Sequence, residues 1–231
     1  MARLERAFAA TVMRALRRLR ASVTRDVGDD PAVMLARLAD DEYTRPFQDA
    51  IARQLQAVAL AGADFGREQI ETGVYGVKAV EVGMWELANN AAAQWALQYS
   101  YELVRGLIRT TRDRIADEIE QYVLNSETIG QLMQQIAAGS GFSEQRAMMI
   151  AVTEVTRAFA QGSLESWRAS GVTQGKRWNT NNDEIVAACP ICAPLHRMVV
   201  PLDAEFPGGL FAPPGHPRCR CWLSPVPVME V

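Results

Sequence analysis

Apolar residues recur at helical spacing as far as Gly171 and lose that rhythm beyond it. Leu4, Phe8, Val12, Leu16, Leu19 and Val23 fall three or four apart and form one stripe of a helix. The opposite face carries Arg6, Arg14, Arg17, Arg18 and Arg20. Asp29-Asp30-Pro31 reads as a turn and a helix start, with Asp as cap, Pro at the first helical position and a short helix to about Asp40. Thr44 is expected to cap a longer helix through Phe47, Ile51, Leu55, Val58 and Phe65, which Gly73 and Gly76 break. From Val77 a helix runs past Trp85 and Trp95, two aromatics better suited to anchoring a core than to a binding box. The clearest periodicity spans Tyr101 to Leu124, with Leu103, Leu107, Thr111, Ile115, Ile119 and Tyr122 on its inner face. On its outer face Arg109 and Arg114 precede Asp113 and Glu118 by four residues, the spacing of surface ion pairs. Asn125 ends this helix, and Ser126 caps another that stops before Gly139-Ser-Gly141. Ser143 caps a further helix containing Ile150, Thr153, Glu154, Arg157, Phe159 and Trp167, for which Gly171 is a natural stop.

Nine of the eleven prolines lie at or beyond Pro190, which excludes extended helix there. Lys176-Arg177-Trp178, Met198-Val199-Val200 and Cys221-Trp222-Leu223 read as brief strands. The expected fold is mainly α: an N-terminal multi-helix body, then a small Pro-rich, irregular to short-β C-terminal module closed by a zinc knuckle. A segment with so little helix and so thin a core is the kind that needs a metal staple.

Composition narrows the class. The 231 residues suit one large domain or a domain with an appendage, and the net charge of −3 confines any nucleic-acid contact to a local patch. The arginine face of the first helix either meets nucleic acid, a membrane surface or an acidic partner, or is simply a solvated face; the second reading is the simpler. Arginines interrupt every apolar run near the N-terminus, so no secretory signal is expected, and no run of some 18 apolar residues suggests a membrane span. A soluble chain of intracellular origin is the expectation. No phosphate-binding loop, dinucleotide fingerprint, HExxH or GxSxG is present.

All four cysteines and both histidines, His196 and His216, lie between Cys189 and Cys221. The pattern is Cys189-Pro-Ile-Cys192, a long gap, then His216-Pro-Arg-Cys219-Arg-Cys221. Thiolates and imidazoles are the donors zinc prefers, and two short knuckles across a loop supply a tetrahedron. Cys189, Cys192 and Cys219 rank first, with His216 or Cys221 as the fourth ligand. The competing readings are a disulfide pair and reduced core cysteines; a reducing compartment disfavours the former. Four protein ligands leave no place for a catalytic water, so the ion would be structural.

The run Ala151-Val-Thr153-Glu154-Val-Thr-Arg157-Ala158, then Gly162, Gly171, Trp178, Asp183-Glu184, Cys189-Pro-Ile-Cys192, Leu195 and Pro213-Pro214-Gly-His216-Pro217-Arg-Cys219-Arg220-Cys221, resembles the phage minor head protein family, that is, the phage Mu protein F-like or head morphogenesis domain. The likeness covers Trp95 to Pro225, and its ending around His216 to Cys221 is the most specific part. It implies a non-enzymatic tailed-phage or prophage protein made in the bacterial cytoplasm and carried into the virion, inside the capsid. It also implies association with the portal protein and a part in head morphogenesis and in packaging or delivering DNA. Scaffold or major capsid protein is a further expected partner, and the arginine-rich first helix, outside the likeness, is a separate candidate for touching packaged DNA. One departure is Leu195-His196-Arg197, where relatives carry a glycine in the third place; its absence puts that tight turn in doubt. The division expected is 1–90 for a helical, portal- or partner-binding region, 91–171 for the helical part of the Mu F-like domain and 172–231 for the Cys/Pro-rich module.

Two details stay open at this level. Glu154 and Arg157 either pair on the helix surface or hydrogen-bond the backbone of the Pro-rich segment; Arg220 either supports neighbouring thiolates or faces solvent. The alternative functions are a metal-dependent nuclease using Asp183, Glu184, His196 and His216, and a DNA-binding module.

Overall fold

The computed structural model describes residues 1–26, 41–72, 82–125, 127–181 and 189–227. Among them are five α-helices and one small sheet: α1 (Ala2–Asp26), α2 (Asp41–Thr72), α3 (Val82–Leu124), α4 (Ile129–Ala138), α5 (Glu144–Ser170), β1 (Thr173–Asn179), β2 (Val199–Pro201) and β3 (Trp222–Pro227). The mainly α class with a short-β C-terminal end is what the pattern predicts. The Asp29-Asp30-Pro31 turn and its helix, the Gly73 and Gly76 break, the start at Val77, the Ser126 cap and Asp183-Glu184 lie outside the described residues.

Three expectations change. Helix α2 begins at Asp41, so Thr44 sits inside it and Pro46 is carried in the second turn rather than marking a boundary. The two helices expected around Trp85 and from Tyr101 are one 43-residue helix, α3, because nothing between Trp95 and Tyr101 breaks the backbone pattern. Helix α4 is capped by Thr128, whose hydroxyl accepts from the Gln131 N–H while the Gln131 side chain accepts from the Thr128 N–H, a reciprocal capping box.

The chain forms two compact units. One comprises residues 2–54 and 98–151. There Phe8, Val12, Leu16, Leu19 and Val23 of α1 are buried, as are Val104, Leu107, Ile108, Thr111 and Ile115 of α3. Part of the α1 arginine face is used internally: Arg17 pairs with Glu144, and Arg20 donates to the Ala137 carbonyl. The expected Arg109–Asp113 and Arg114–Glu118 pairs do not close among the described residues; Arg114 instead bonds the Ser140 hydroxyl. Arg146, in the first turn of α5, is buried against α3. It donates to Thr111 Oγ1 (2.9 Å), Thr110 Oγ1 (2.7 Å), the Leu107 carbonyl (3.3 Å) and the Gly141 carbonyl.

The other unit comprises Met1 and residues 55–97 and 152–231. Helices α2 and α5 meet backbone to backbone within it. A Cβ at Gly162 would lie 1.8 Å from the Ala59 carbonyl oxygen, and one at Gly62 2.2 Å from that of Phe159. Ser163 and Ser166 donate across this seam to the Gly62 and Ala63 carbonyls. Gly171, with φ of 64°, ends α5 in the left-handed region that a side chain would strain. The chain then enters an antiparallel sheet of order β2-β1-β3, with Lys176 opposite Val200 and Pro225, and Trp178 opposite Leu223. The apolar cover of this sheet is not its own. Trp178, Leu195, Leu202, Phe206 and Leu223 pack in one cluster with Ile70, Trp85, Leu164 and Trp167 from the helices. Trp178 and Phe206 meet edge to face at 5.2 Å.

Candidate metal centre

Two turns bring the donors together. In the first, the Cys192 N–H donates to Cys189 Sγ (3.4 Å) and the Ala193 N–H to the Cys189 carbonyl (3.1 Å), leading into a short 3-10 turn at Ala193–Leu195. In the second, the Cys219 N–H reaches back to the His216 carbonyl (3.1 Å), with Arg218 at a φ of 63°. Helix α5 holds the second turn by two threonines. Thr153 Oγ1 accepts from the Arg218 N–H, and Thr156 Oγ1 donates to the Cys219 carbonyl, each at 3.0 Å. Glu154 and Arg157 pair on the same helix, Arg157 Nε to Glu154 Oε2 at 3.1 Å. The helix expected to grip the Pro-rich segment therefore does so with its hydroxyls, which the charged neighbours overshadow in the sequence.

All five predicted donors converge. Cys189, Cys192 and His216 form one set, and Cys192, Cys219 and Cys221 a second, each with donor atoms within 4.8 Å of one another. Cys192 is common to both. Cys189 Sγ lies 3.3 Å from His216 Nε2, and Cys192 Sγ 3.7 Å from Cys219 Sγ. All four thiols are free rather than bridged. His216 Nδ1 is 2.9 Å from the Pro217 carbonyl, so the proton belongs on Nδ1 and Nε2 is left to face Cys189. Cys189 and His216 are partly exposed, while Cys192, Cys219 and Cys221 are buried.

The electrostatics push the titration of the clustered thiols apart, two lowered and two raised. The Cys221 thiol hydrogen-bonds Cys219 and, with backbone bonds at Cys221 and Gly215, holds the Cys219 thiol down to about 5 against the opposing effect of burial. Burial and the Cys219 charge push Cys192 up to about 12. Cys221 is raised by its bond to Cys219 and by burial. Burial works to raise Cys189, yet backbone bonds from Cys192 and Ile191 leave it lowered. Burial works to lower His216, but the Pro217 carbonyl and the facing thiolates leave it raised. Crowded thiols that cannot all ionise side by side do so readily around an ion. The residues can hold a metal ion, with four donors drawn from the four sulfurs and the His216 imidazole.

His196 stands apart from this set: its Nδ1 lies 2.8 Å from Thr180 Oγ1. Arg220 is exposed at its side chain. The Leu195-His196-Arg197 turn forms without the glycine, since Arg197 itself adopts a φ of 64°, donates its N–H to the Trp178 carbonyl at 2.8 Å and is followed by a Met198 N–H to Leu195 carbonyl bond at 2.9 Å.

No curated protein and no solved structure matches the chain. Residues 113–224, just under half of it, match the family model described as Phage Mu protein F like protein. That span contains α4, α5, β1, β2, both knuckles and most of α5's helical lead-in, and no described helix is long and apolar enough to cross a membrane. The part of the chain that builds the thiol and imidazole cluster is similar to the Phage Mu protein F-like family, a match that points to a phage head-related protein.

Proposed function

We propose that this is a non-enzymatic minor head protein, acting inside the capsid near the portal during head morphogenesis and DNA packaging or delivery, with its C-terminal module closed by a structural zinc. One observation carries the reading: within the Mu F-like span, five soft donors from two distant turns gather in two overlapping sets that share Cys192. Zinc with sulfur ligands at about 2.3 Å sets neighbouring thiolates about 3.8 Å apart in a tetrahedron. The Cys192–Cys219 separation of 3.7 Å fits that edge. Four protein donors saturate the ion and leave it no open position for chemistry.

Elemental analysis of the purified full chain tests the metal, with about one zinc per chain expected. Co-expression with a phage portal and major capsid protein tests the assembly role. Retention of the chain on tagged portal is expected, and its absence from both portal and assembled heads would overturn that part of the proposal.

A further inference from the structure

The unit formed by residues 2–54 and 98–151 has a groove of about 510 Å³ between the first turns of α2 and the middle of α3. Four arginines rim it: Arg45 from α2, and Arg105, Arg109 and Arg112 from α3. The last three follow at intervals of four and three residues, so they share one helix face. All four are exposed, and among the described residues none has an ion-pair or hydrogen-bond partner. The Arg109–Asp113 pair that the spacing suggests is not made. Beside the guanidiniums and the polar Thr44 and Gln48, the groove offers carbon from the buried Val104 and Ile108 and from Tyr101, which is 53% exposed.

We infer that this groove docks an acidic segment of a partner protein, one that also carries an apolar side chain to lie against Val104, Ile108 and Tyr101. Charge argues for an anion, since four arginines outnumber the two carboxylates of the groove, Asp49 and Asp113, on a chain whose net charge is −3. The apolar side chains and the tyrosine argue for a peptide rather than a phosphate backbone. Arginine and tyrosine beside a small apolar pocket are the residues that anchor protein interfaces. Asp49 and Asp113 also line the groove. They would repel consecutive phosphates but can accept N–H groups from a peptide main chain. The concavity is too small to admit a DNA duplex, whose own major groove takes in a whole helix.

The test is fluorescence anisotropy with the full chain and a labelled synthetic peptide of alternating Glu-Glu and Leu-Leu pairs. Saturable, salt-weakened binding is expected, falling at least about tenfold in the Arg105→Ala/Arg109→Ala double variant. Arg177→Ala, an exposed arginine on β1, should leave it unchanged. A polyglutamate peptide lacking leucine should bind about tenfold more weakly than the mixed one. Oligothymidylate that binds more tightly than the peptide and is lost in the same double variant would assign the groove to nucleic acid and overturn the proposal. Absence of peptide binding, or binding indifferent to the double variant, would overturn it equally. Circular dichroism of the double variant confirms that the fold persists, as substitutions at exposed helix positions to alanine should allow.

Discussion

Each compact unit buries one long basic side chain, and the two are treated in opposite ways. Arg146, 7% exposed, has its guanidinium met by two hydroxyls and two carbonyls. Lys176, 0% exposed, has no hydrogen-bond partner; its ammonium sits 3.2 Å from the centre of the Phe211 ring and 5.7 Å from that of Phe206. Burial lowers both, Arg146 to about 10 with help from Arg114, and Lys176 to about 8 with help from Arg168. The first is a connector: five planar donors suit a place where α3 and the turn before α5 both offer oxygen. The second is held by ring faces and tolerated, not required, by its strand. The helical unit thus adds a hydrogen-bonded hub to its apolar stripe, whereas the sheet-bearing unit adds aromatic packing and a cluster of soft donors. A polar hub works where threonine hydroxyls and main-chain carbonyls come within reach of one guanidinium.

The sharpest way to break this contrast is at Cys192, the donor common to both sets. Cys192→Ala, or chelation under reducing conditions, should abolish metal binding and expose residues 172–227 to protease while most helical circular dichroism remains, because a structural zinc contributes on the order of 10 kcal/mol. Intact resistance without metal would show that the aromatic cluster suffices. Next in size, Arg146→Leu should lower unfolding stability by about 3 kcal/mol, read from a urea midpoint, and leave metal content unchanged, since it strands buried oxygens only in its own unit.

Lys176 gives a smaller, pH-dependent effect. Its folded value of about 8 lies below the ordinary 10.5, so between those values the unfolded chain binds more protons and stability rises with pH. Relative to Lys176→Met, the natural chain should gain about 2 kcal/mol from about pH 8 to about pH 10.5. A gap that stays flat, or widens in favour of the variant, would show that the ring faces offset the burial. The smallest expected change is at Arg197. Glycine there relieves a left-handed backbone and should raise the melting temperature slightly, by about 0.5–1 kcal/mol in stability.

The helices were legible because their apolar residues follow a period that burial enforces: the α1 stripe and the Ser143 and Gly171 boundaries stand as read. The donors were legible because few residue types bind soft ions and all lay in one stretch. What periodicity hides is anything set by distant partners. The fusion of α3 depends on the absence of a breaker, a weak signal beside two separate apolar patterns. Thr153 and Thr156 look like ordinary helix residues until the Cys219 turn arrives against them. Arg146 looks like a surface arginine because no local spacing reveals four oxygens gathered from 35 or more positions away and from a nearby turn. The Arg197 turn misled in the other direction, since bonds to Trp178 and between Leu195 and Met198 pin a conformation that the residue itself disfavours.

The glycine seam between α2 and α5 makes the second knuckle a part with a fixed mount. Helices touching carbonyl to Cα cannot slip by a fraction of a turn, because every intermediate position drives one main chain into the other. Thr153 and Thr156 lie on the rail so located, and they carry its position to Arg218 and Cys219. A side chain added at Gly62 or Gly162 would therefore push aside the helix that seats the Cys219 turn.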